Sequence, residues 1–358
     1  MDQPSGLSCL VISRTPALLN RMLASLQQAR AFWQPGDEVL CSWNGSAAAE
    51  AKLAPPAEAS PPFRIAQREA YHFASNMNGL ARQARGRWLL LLNDDLILDP
   101  GSVDRALQQL GQHPEAGVLG GRLLDHEGRL GHAGLLLSPE GVPYNRLRPQ
   151  LGPLIDPAGP EALTSGPIPA VTGALMLVRR EDFLAVGGLR ESFRVCGEDV
   201  ALCLDLWRQL GKPAYYASDV GGVHEEKSTR GTTPDQPDIM AVARLAAPLC
   251  QDDSAFQALQ SPWALQEAQL LCRLSHEQWQ TAEQLRRQLE EQQRAWEERE
   301  RQWEANQQHW AAERSALLAQ IEDLHQRLEG LLRSTSWTLT RPWRALGRCF
   351  SPHGGPSS

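Results

Sequence analysis

The sequence lacks the features that mark secreted, disulfide-bonded and membrane-spanning proteins. Its 7 cysteines include no C-x-x-C pair, which argues against a disulfide framework and against a zinc ribbon. No apolar run approaches the ~18–20 residues needed to span a bilayer, and the N-terminus lacks the basic, apolar and small-residue series of a secretory signal. A formal net charge of −7 argues against a general nucleic-acid binder. We therefore expect a cytoplasmic protein that binds no nucleic acid.

Several common catalytic motifs are also missing. The sequence contains no G-x-x-x-x-G-K-[ST] loop and no strand-linked G-x-G-x-x-G, so nothing supports a P-loop or a Rossmann cofactor site. It also contains no G-x-S-x-G elbow, the motif that carries the nucleophilic serine of many hydrolases. The chemistry must therefore lie with other residues.

The composition changes near residue 233, which indicates two different architectures. Before this point, strand-like and helix-like segments alternate with Gly and Pro turns, whereas Gln, Glu, Arg, Leu and Trp dominate after it. We predict a domain over residues 1–232, a polar connector over 233–264, a coiled-coil helix over 265–333 and a basic, aromatic tail over 334–358.

The first part of the chain has the pattern of a parallel α/β sheet. Residues 7–12, 39–41 and 88–92 are apolar runs of the kind found in buried strands, and residues 73–85 have helical spacing. Strands that alternate with helices predict a mostly parallel sheet. In such sheets ligands bind at the carboxyl ends of the strands.

Asn93, Asp94 and Asp95 directly follow the apolar run at residues 88–92, so they occupy such a strand end. Adjacent carboxylates repel each other unless a cation lies between them. Hard oxygen ligands of this kind suit Mg²⁺ or Mn²⁺, usually with substrate phosphates completing the coordination. The alternative is an ordinary turn or helix cap, because Asp and Asn favour both.

Two further groups of polar residues are candidates for catalysis. Glu198 and Asp199 begin a predicted helix and are candidates for a general base acting on a hydroxyl, although the helix dipole alone favours acids at this position. His224 is a candidate third metal ligand, although a single His is more often structural. Lys227 and Arg230 follow it and are suited to neutralise a diphosphate.

The second part of the chain contains a heptad repeat. One seam position is occupied by Ala282, Leu289, Trp296, Trp303, Trp310, Leu317, Leu324 and Leu331. The companion position is polar in the middle and apolar only near its end. One interpretation is a solvated helix that folds back on the first domain. We favour self-association, because an isolated polar helix of this length has little to stabilise it.

The end of the chain is basic and aromatic. Residues 331–358 contain no acidic residue, but carry arginines with tryptophans and a phenylalanine between them. This composition suits an anionic membrane interface and predicts peripheral membrane contact. A disordered tail is an equally good interpretation.

Taken in order, these segments resemble glycosyltransferase family 2, with its GT-A fold, over about residues 7–231. The stretches that carry the resemblance are 73–78, 84–95, 127–134, 171–180, 187–189 with the following Glu-Asp pair, and 224–231. Of these, residues 127–134 resemble a Gly-x-x-x-His-Ala-Gly stretch of one bacterial branch. The stretch 336–344 is also similar to the Ser-Trp-x-Leu-Thr-x-Pro-x-Arg ends of many bacterial sugar transferases.

The resemblance implies sugar transfer, with inversion, from a nucleotide-diphosphate sugar to a hydroxyl. It assigns Asp95, helped by His224 and Asn93, to holding a Mn²⁺ or Mg²⁺ ion. It assigns Asp94 to the ribose of the nucleotide or to the same ion.

The resemblance also implies the remaining site residues. Asp199 is expected to take the acceptor proton, and Glu198 to orient a loop or the acceptor. The other expected donor contacts are Ser13, Arg14, Asn44, Asn78, Thr172 and Gly173. Asn44 is included because Trp43 occupies the position where the family usually has the Asp that reads the nucleobase.

The resulting hypothesis is a metal-dependent glycosyltransferase of bacterial surface glycan synthesis. We expect a nucleotide-sugar donor, a glycan or lipid-linked glycan acceptor, self-association through the coiled coil and work at the cytoplasmic face of the inner membrane. A nucleotidyltransferase also uses paired acids and a metal, but residues 10–19 lack its basic, Gly-rich first loop. The other alternative is a non-catalytic coiled-coil scaffold with a degenerate GT-A domain.

Overall fold

A computed structural model describes residues 6–55, 61–147, 155–225, 235–335 and 339. The chain divides into two compact units, Met1–Leu274 and Ser275–Ser358.

Within the described residues, the strands are β1 (Leu7–Ser13), β2 (Glu38–Trp43), β3 (Phe63–Gln67), β4 (Trp88–Asn93), β5 (Leu96–Leu98), β6 (Val118–Leu124), β7 (Leu130–His132), β8 (Leu135–Leu137), β9 (Pro143–Asn145), β10 (Gly166–Ile168), β11 (Leu175–Arg179) and β12 (Ala214–His224). The helices are α1 (Pro16–Ala29), α2 (Ala47–Glu50), α3 (Phe73–Gln83), α4 (Ser102–Gln112), α5 (Pro160–Leu163), α6 (Arg180–Ala185), α7 (Glu198–Leu210), α8 (Gln236–Asp252) and α9 (Ser254–Arg333).

Most strands of the first unit form a mixed sheet with the order β10-β12-β6-β11-β4-β1-β2-β3. Strands β1 to β4 run parallel to one another. Strand β11 lies antiparallel between β4 and β6, so β6 and its parallel partner β12 run in the same direction as the first four. The sheet is therefore mostly parallel, which confirms the predicted fold class. The carboxyl ends of β1, β4 and β12 and the amino end of β11 lie at one edge as a consequence.

Strand β4 shows that the sheet is buried on both faces. Leu89 and Leu91 belong to one hydrophobic cluster, whereas Leu90 and Leu92 belong to a second cluster. This division follows from the alternation of side chains along a strand. All four side chains are at most 1% exposed. Burial on both faces explains why the strand is a continuous apolar run.

Helix α8 and the first turns of α9 complete the core of the first unit. Val242 of α8 and Trp263 and Leu270 of α9 are buried in the same cluster as Leu89. The first unit consequently extends to Leu274, beyond the predicted boundary at residue 232. The residues expected to form a connector contain α8 and the beginning of α9.

Helix α9 continues through most of the described second unit and ends at Arg333. In the single chain its heptad tryptophans are open to solvent, since Trp296, Trp303 and Trp310 are 59%, 62% and 65% exposed. None of the described helices is both long enough and apolar enough to cross a membrane.

Parts of two sequence predictions lie outside the described residues. Of the predicted tail, only residues 334, 335 and 339 are described. Lys227 and Arg230, predicted to neutralise a diphosphate, are also outside the described part of the chain.

We expect Trp263→Ala to destabilise the first unit by about 3–5 kcal/mol. The side chain is 6% exposed, its Nε1 donates to the Pro167 carbonyl at 2.7 Å, and the Arg146 guanidinium carbon lies 4.4 Å from the ring centre. Urea unfolding followed by circular dichroism measures the change. Phe32→Ala, at a side chain that is 78% exposed, is the matched control and should change the free energy of unfolding by less than about 0.5 kcal/mol. Equal effects of the two changes would contradict the inclusion of α9 in this core.

Candidate active site

A cavity of about 240 Å³ opens at the sheet edge where β1, β4 and β12 end. Ten of the twelve residues predicted for the site line it: Ser13, Arg14, Asn93, Asp94, Asp95, Thr172, Gly173, Glu198, Asp199 and His224. They meet because three parallel strands end, and antiparallel β11 begins, at the same edge. Asn44 and Asn78 do not line this cavity.

The predicted metal ligands lie together at the ends of β4 and β12. Nε2 of His224 is 3.1 Å from Oδ1 of Asp95 and 3.2 Å from Nδ2 of Asn93. Pairing of Leu96 in β5 with His224 in β12 fixes this approach. Among the described residues no group of three His, Cys, Asp or Glu side chains is arranged as a metal site. Asp95 and His224 form a pair of side chains whose chemistry suits Mn²⁺ or Mg²⁺ when substrate oxygens complete the coordination.

Asp94 differs from its neighbour in its environment. The hydroxyl Oγ of Ser13 donates to its Oδ2 at 2.6 Å. Burial raises the pKa of the Asp94 carboxyl to about 6, the Ser13 hydrogen bond opposes this rise, and the negative charge of Asp95 adds to it. Asp94 and Asp95 are each 6% exposed, so this site concentrates negative charge out of water.

Asp199, the predicted base, is oriented by two backbone amides. The N–H of Gly173 donates to its Oδ2 at 2.8 Å, and the N–H of Val200 donates to its Oδ1 at 2.8 Å. A side chain at Gly173 would crowd this carboxylate, because a Cβ there would lie 3.2 Å from the Asp199 Cβ. Glu198 lines the same cavity at the start of α7.

Helix α8 fixes the loop that leads into α7. Oδ2 of Asp238 accepts hydrogen bonds from the backbone amides of Arg194, Val195 and Cys196 at 2.9, 2.7 and 3.3 Å. Gly197 follows with a φ of +95°, and a Cβ on it would lie 2.5 Å from Val242 of α8. No sequence pattern indicates this role of Asp238, because the two segments lie about 40 residues apart.

The two predicted residues outside the cavity make backbone contacts elsewhere. Asn78 is 6% exposed and exchanges two hydrogen bonds with the backbone of Leu189, at 2.8 and 2.9 Å, which ties α3 to the Gly188 turn. Asn44 donates from its backbone N–H to the Ser13 carbonyl at 2.8 Å, and from Nδ2 to the Glu69 carbonyl.

Four further residues that were not predicted for the site also lie at the cavity. His132, Asn145, Tyr71 and Phe73 line it. His132 lies in the Gly-x-x-x-His-Ala-Gly stretch, so a pattern in the sequence could have identified it. Asn145 belongs to no motif, and only the pairing of β8 with β9 brings it to this wall.

The mostly parallel mixed sheet with an acidic edge is the architecture that the resemblance to glycosyltransferase family 2 implies. The model of Glycosyl transferase family 2 matches residues 12–183, in agreement with the family that the sequence motifs resemble.

The relatives found by comparison with known proteins match only part of this chain, and this chain matches only part of each relative. Over 164 residues the chain is 37% identical to the O-antigen biosynthesis protein RfbC of Myxococcus xanthus, a match that covers 45% of this chain and 12% of the relative. Over 159 residues it is 29% identical to the N-acetylglucosaminyl-diphospho-decaprenol L-rhamnosyltransferase of Mycobacterium tuberculosis, covering 41% of this chain and 50% of the relative. The chain thus spans half or less of these curated relatives. It is also similar to the solved structure of S. aureus TarS 1-349 in complex with UDP, with 14% identity and a TM-score of 0.46, over 72% of this chain and 70% of the other.

In protein freed of metal by a chelator, Asp94→Asn should remove a pH-dependent loss of stability. The folded pKa of Asp94 is about 6, above the ~3.9 of an unfolded chain. The folded state therefore holds the proton more tightly, and the free energy of unfolding falls as the pH rises from ~4 to ~6. Asp94→Asn should match the wild type near pH ~4 and exceed it by about 2–3 kcal/mol near pH ~7.5.

Denaturant unfolding at a series of pH values measures this difference. The control is Asp252→Asn, at an exposed residue, and its free energy of unfolding should differ from that of the wild type by the same amount at every pH. A difference between Asp94→Asn and the wild type that stays constant with pH would contradict the assignment.

Proposed function

We propose that the protein is a metal-dependent, inverting glycosyltransferase that moves a sugar from a nucleotide-diphosphate donor to a hydroxyl acceptor. One observation carries the proposal: the Asp95–His224 pair and the oriented carboxylate of Asp199 line the same cavity. The names of the two bacterial relatives, one for O-antigen biosynthesis and one for L-rhamnosyl transfer, support a role in surface glycan synthesis. They also support a glycan or lipid-linked glycan as the acceptor.

Asp95 and His224 are the residues that would hold Mn²⁺ or Mg²⁺, with Asn93 beside them. Such an ion supplies positive charge that stabilises a departing nucleoside diphosphate. The exposed guanidinium of Arg14, at the rim of the same cavity, adds positive charge for the phosphates. Ser13 keeps the neighbouring Asp94 carboxylate in one orientation.

Asp199 is the base in this proposal. Its two backbone hydrogen bonds fix the carboxylate plane, so one orientation is presented to an acceptor hydroxyl. As the hydroxyl oxygen bonds to the anomeric carbon, Asp199 takes the hydroxyl proton, and the bond from that carbon to the diphosphate oxygen breaks. Attack from the side opposite the leaving group inverts the anomeric carbon. Glu198 orients the loop or the acceptor.

We expect Asp199→Asn to slow the reaction by ~10²–10⁴-fold, the usual contribution of a positioned base, and Glu198→Gln to slow it much less. The assay follows release of nucleoside diphosphate from a panel of nucleotide sugars with Mn²⁺. Comparable losses in both variants, with intact folding, would contradict the division of roles.

The same panel, extended to nucleoside triphosphates, separates the proposal from its alternatives. If the wild type neither hydrolyses any nucleotide sugar nor binds any nucleotide in a metal-dependent way, the non-catalytic scaffold is favoured. Transfer of a nucleotidyl group, with release of pyrophosphate from a nucleoside triphosphate, would identify a nucleotidyltransferase.

We also propose that residues 275–333 associate with a second copy of the chain. The support is the heptad row of exposed tryptophans and leucines, which a single helix leaves in water. The basic and aromatic composition of residues 331–358 supports the further proposal that the protein acts at the cytoplasmic face of the inner membrane.

Trp303→Glu is expected to weaken this self-association by at least about tenfold, because it places a charge in the apolar row. Sedimentation equilibrium over a range of protein concentrations measures the association constant. Gln308→Glu adds the same charge at an exposed position outside the row and is the control. An unchanged mass for Trp303→Glu, or a monomeric wild type, would contradict the coiled coil.

A further inference from the structure

One corner of the cavity is formed by His132 and Asn145, which the proposed reaction does not use. His132 ends β7 and is 3% exposed, and Asn145 ends β9. Nδ1 of His132 lies 2.8 Å from Oδ1 of Asn145, and Nε2 accepts a hydrogen bond from the backbone N–H of Thr172 at 3.3 Å. All three residues line the cavity.

The backbone amide of Thr172 determines the polarity of this chain of hydrogen bonds. A backbone N–H can only donate, so Nε2 of His132 must accept, and a neutral imidazole then carries its proton on Nδ1. That N–H donates to Asn145, which requires the amide oxygen of Asn145 to face the imidazole. The amide nitrogen of Asn145 is then the group left for a ligand, and it can only donate.

Buried contacts hold Asn145 in place from behind. The next residue, Arg146, is fully buried, donates to the Ala133 carbonyl at 3.0 Å and to Oε1 of Gln266 at 2.6 Å, and has its guanidinium over the ring of Trp263. The amide of Leu147 donates to Oε1 of Glu267 at 2.7 Å. The side chain of Asn145 therefore extends from a rigid backbone, as selective recognition requires.

The segment 172–174 connects this corner to the two reactive parts of the site. The backbone N–H of Asn93, beside the proposed metal ligands, donates to the Ala174 carbonyl at 3.1 Å. The Gly173 amide donates to Asp199, and the Thr172 amide donates to His132. A sugar that joins a diphosphate near Asn93 to an acceptor near Asp199 would lie along this segment, within reach of its neighbour Asn145.

We infer that Asn145 donates a hydrogen bond from its amide to a hydroxyl oxygen of the transferred sugar, with His132 as the residue that orients it. Asn145 is thus a determinant of which donor sugar is accepted, and His132 is a positioning residue. The inference rests on the proposed glycosyltransferase function. A site built to bond one hydroxyl rejects ligands that cannot satisfy it, because its polar group is then left unpaired.

The test measures binding of UDP-glucose, UDP-N-acetylglucosamine, GDP-mannose and dTDP-rhamnose, each with Mn²⁺, to the full chain by calorimetry. UDP, GDP and dTDP are measured in parallel, because they lack the sugar. Asn145→Asp keeps the shape of the side chain but replaces the donor by an acceptor. It should lower the affinity for the nucleotide sugar that the wild type prefers by at least about tenfold. The affinity for the matching diphosphate should stay within about twofold of the wild-type value.

Further variants distinguish the orienting role of His132 from a non-specific effect of substitution on binding. Asn306→Asp, on the exposed helix α9, makes the same chemical change outside the site and should leave all affinities unchanged. His132→Leu should also weaken the sugar-dependent part of the affinity. His132→Gln should restore part of it, since glutamine can both accept from Thr172 and donate to Asn145.

Three results would overturn the inference. Sugar and diphosphate affinities that fall together in Asn145→Asp would indicate a distorted cavity, and unchanged sugar affinity would show that Asn145 does not contact the donor sugar. A wild type that binds none of these nucleotides would overturn the proposed function itself, and the inference with it. If the wild type binds and only the Asn145→Asp result fails, the proposed function stands without this contact.

Discussion

Negative charge held out of water at the end of β4 is the constraint on which the site depends. Asp94 and Asp95 are adjacent and each only 6% exposed, so their charges repel and lose hydration together. The fold offsets part of this cost with the hydroxyl of Ser13 from β1 and the imidazole of His224 from β12. Both partners reach the carboxylates only because three parallel strands end at one edge. A divalent cation with substrate phosphates would offset the remainder in the proposed reaction.

Residues beyond 233 shape the cavity from outside it. Asp238 of α8 holds three backbone amides of the loop before Gly197, and Gln266 and Glu267 of α9 hold the end of β9. None of the described residues after His224 lines the cavity itself. Helices α8 and α9 therefore hold the backbone segments next to Asp199 and Asn145 in place.

Much of the sheet and its acidic edge could be predicted from the sequence. The apolar run of β4 followed by Asn93, Asp94 and Asp95 is a local pattern, and a parallel sheet places such strand ends together. Helix α8 and the start of α9 were harder to predict because Pro248 and Pro262 suggest a loop, although Pro248 lies inside α8 and Pro262 inside α9. Val242 and Leu249 nevertheless have the spacing of a buried helix face.

Contacts between residues far apart in the chain could not be predicted from local sequence patterns. Asn78 was predicted to contact the donor, yet its side-chain amide pairs with the backbone of Leu189, 111 residues away. His132 lies in a recognisable stretch, but its hydrogen bond to Asn145 depends on the packing of two short strands, and Asn145 belongs to no motif. Such pairings follow from tertiary packing, which local periodicity does not specify.

The most direct test of the account is the affinity of the protein for Mn²⁺, measured by electron paramagnetic resonance with and without UDP or GDP. Because the proposed site has Asp95 and His224 as its ligands, with Asn93 beside them, we expect Mn²⁺ to bind weakly by itself and at least about tenfold more tightly with a diphosphate. Asp95→Asn should abolish the tight binding. Equal Mn²⁺ affinity in the wild type and in Asp95→Asn, with the diphosphate present, would contradict the account.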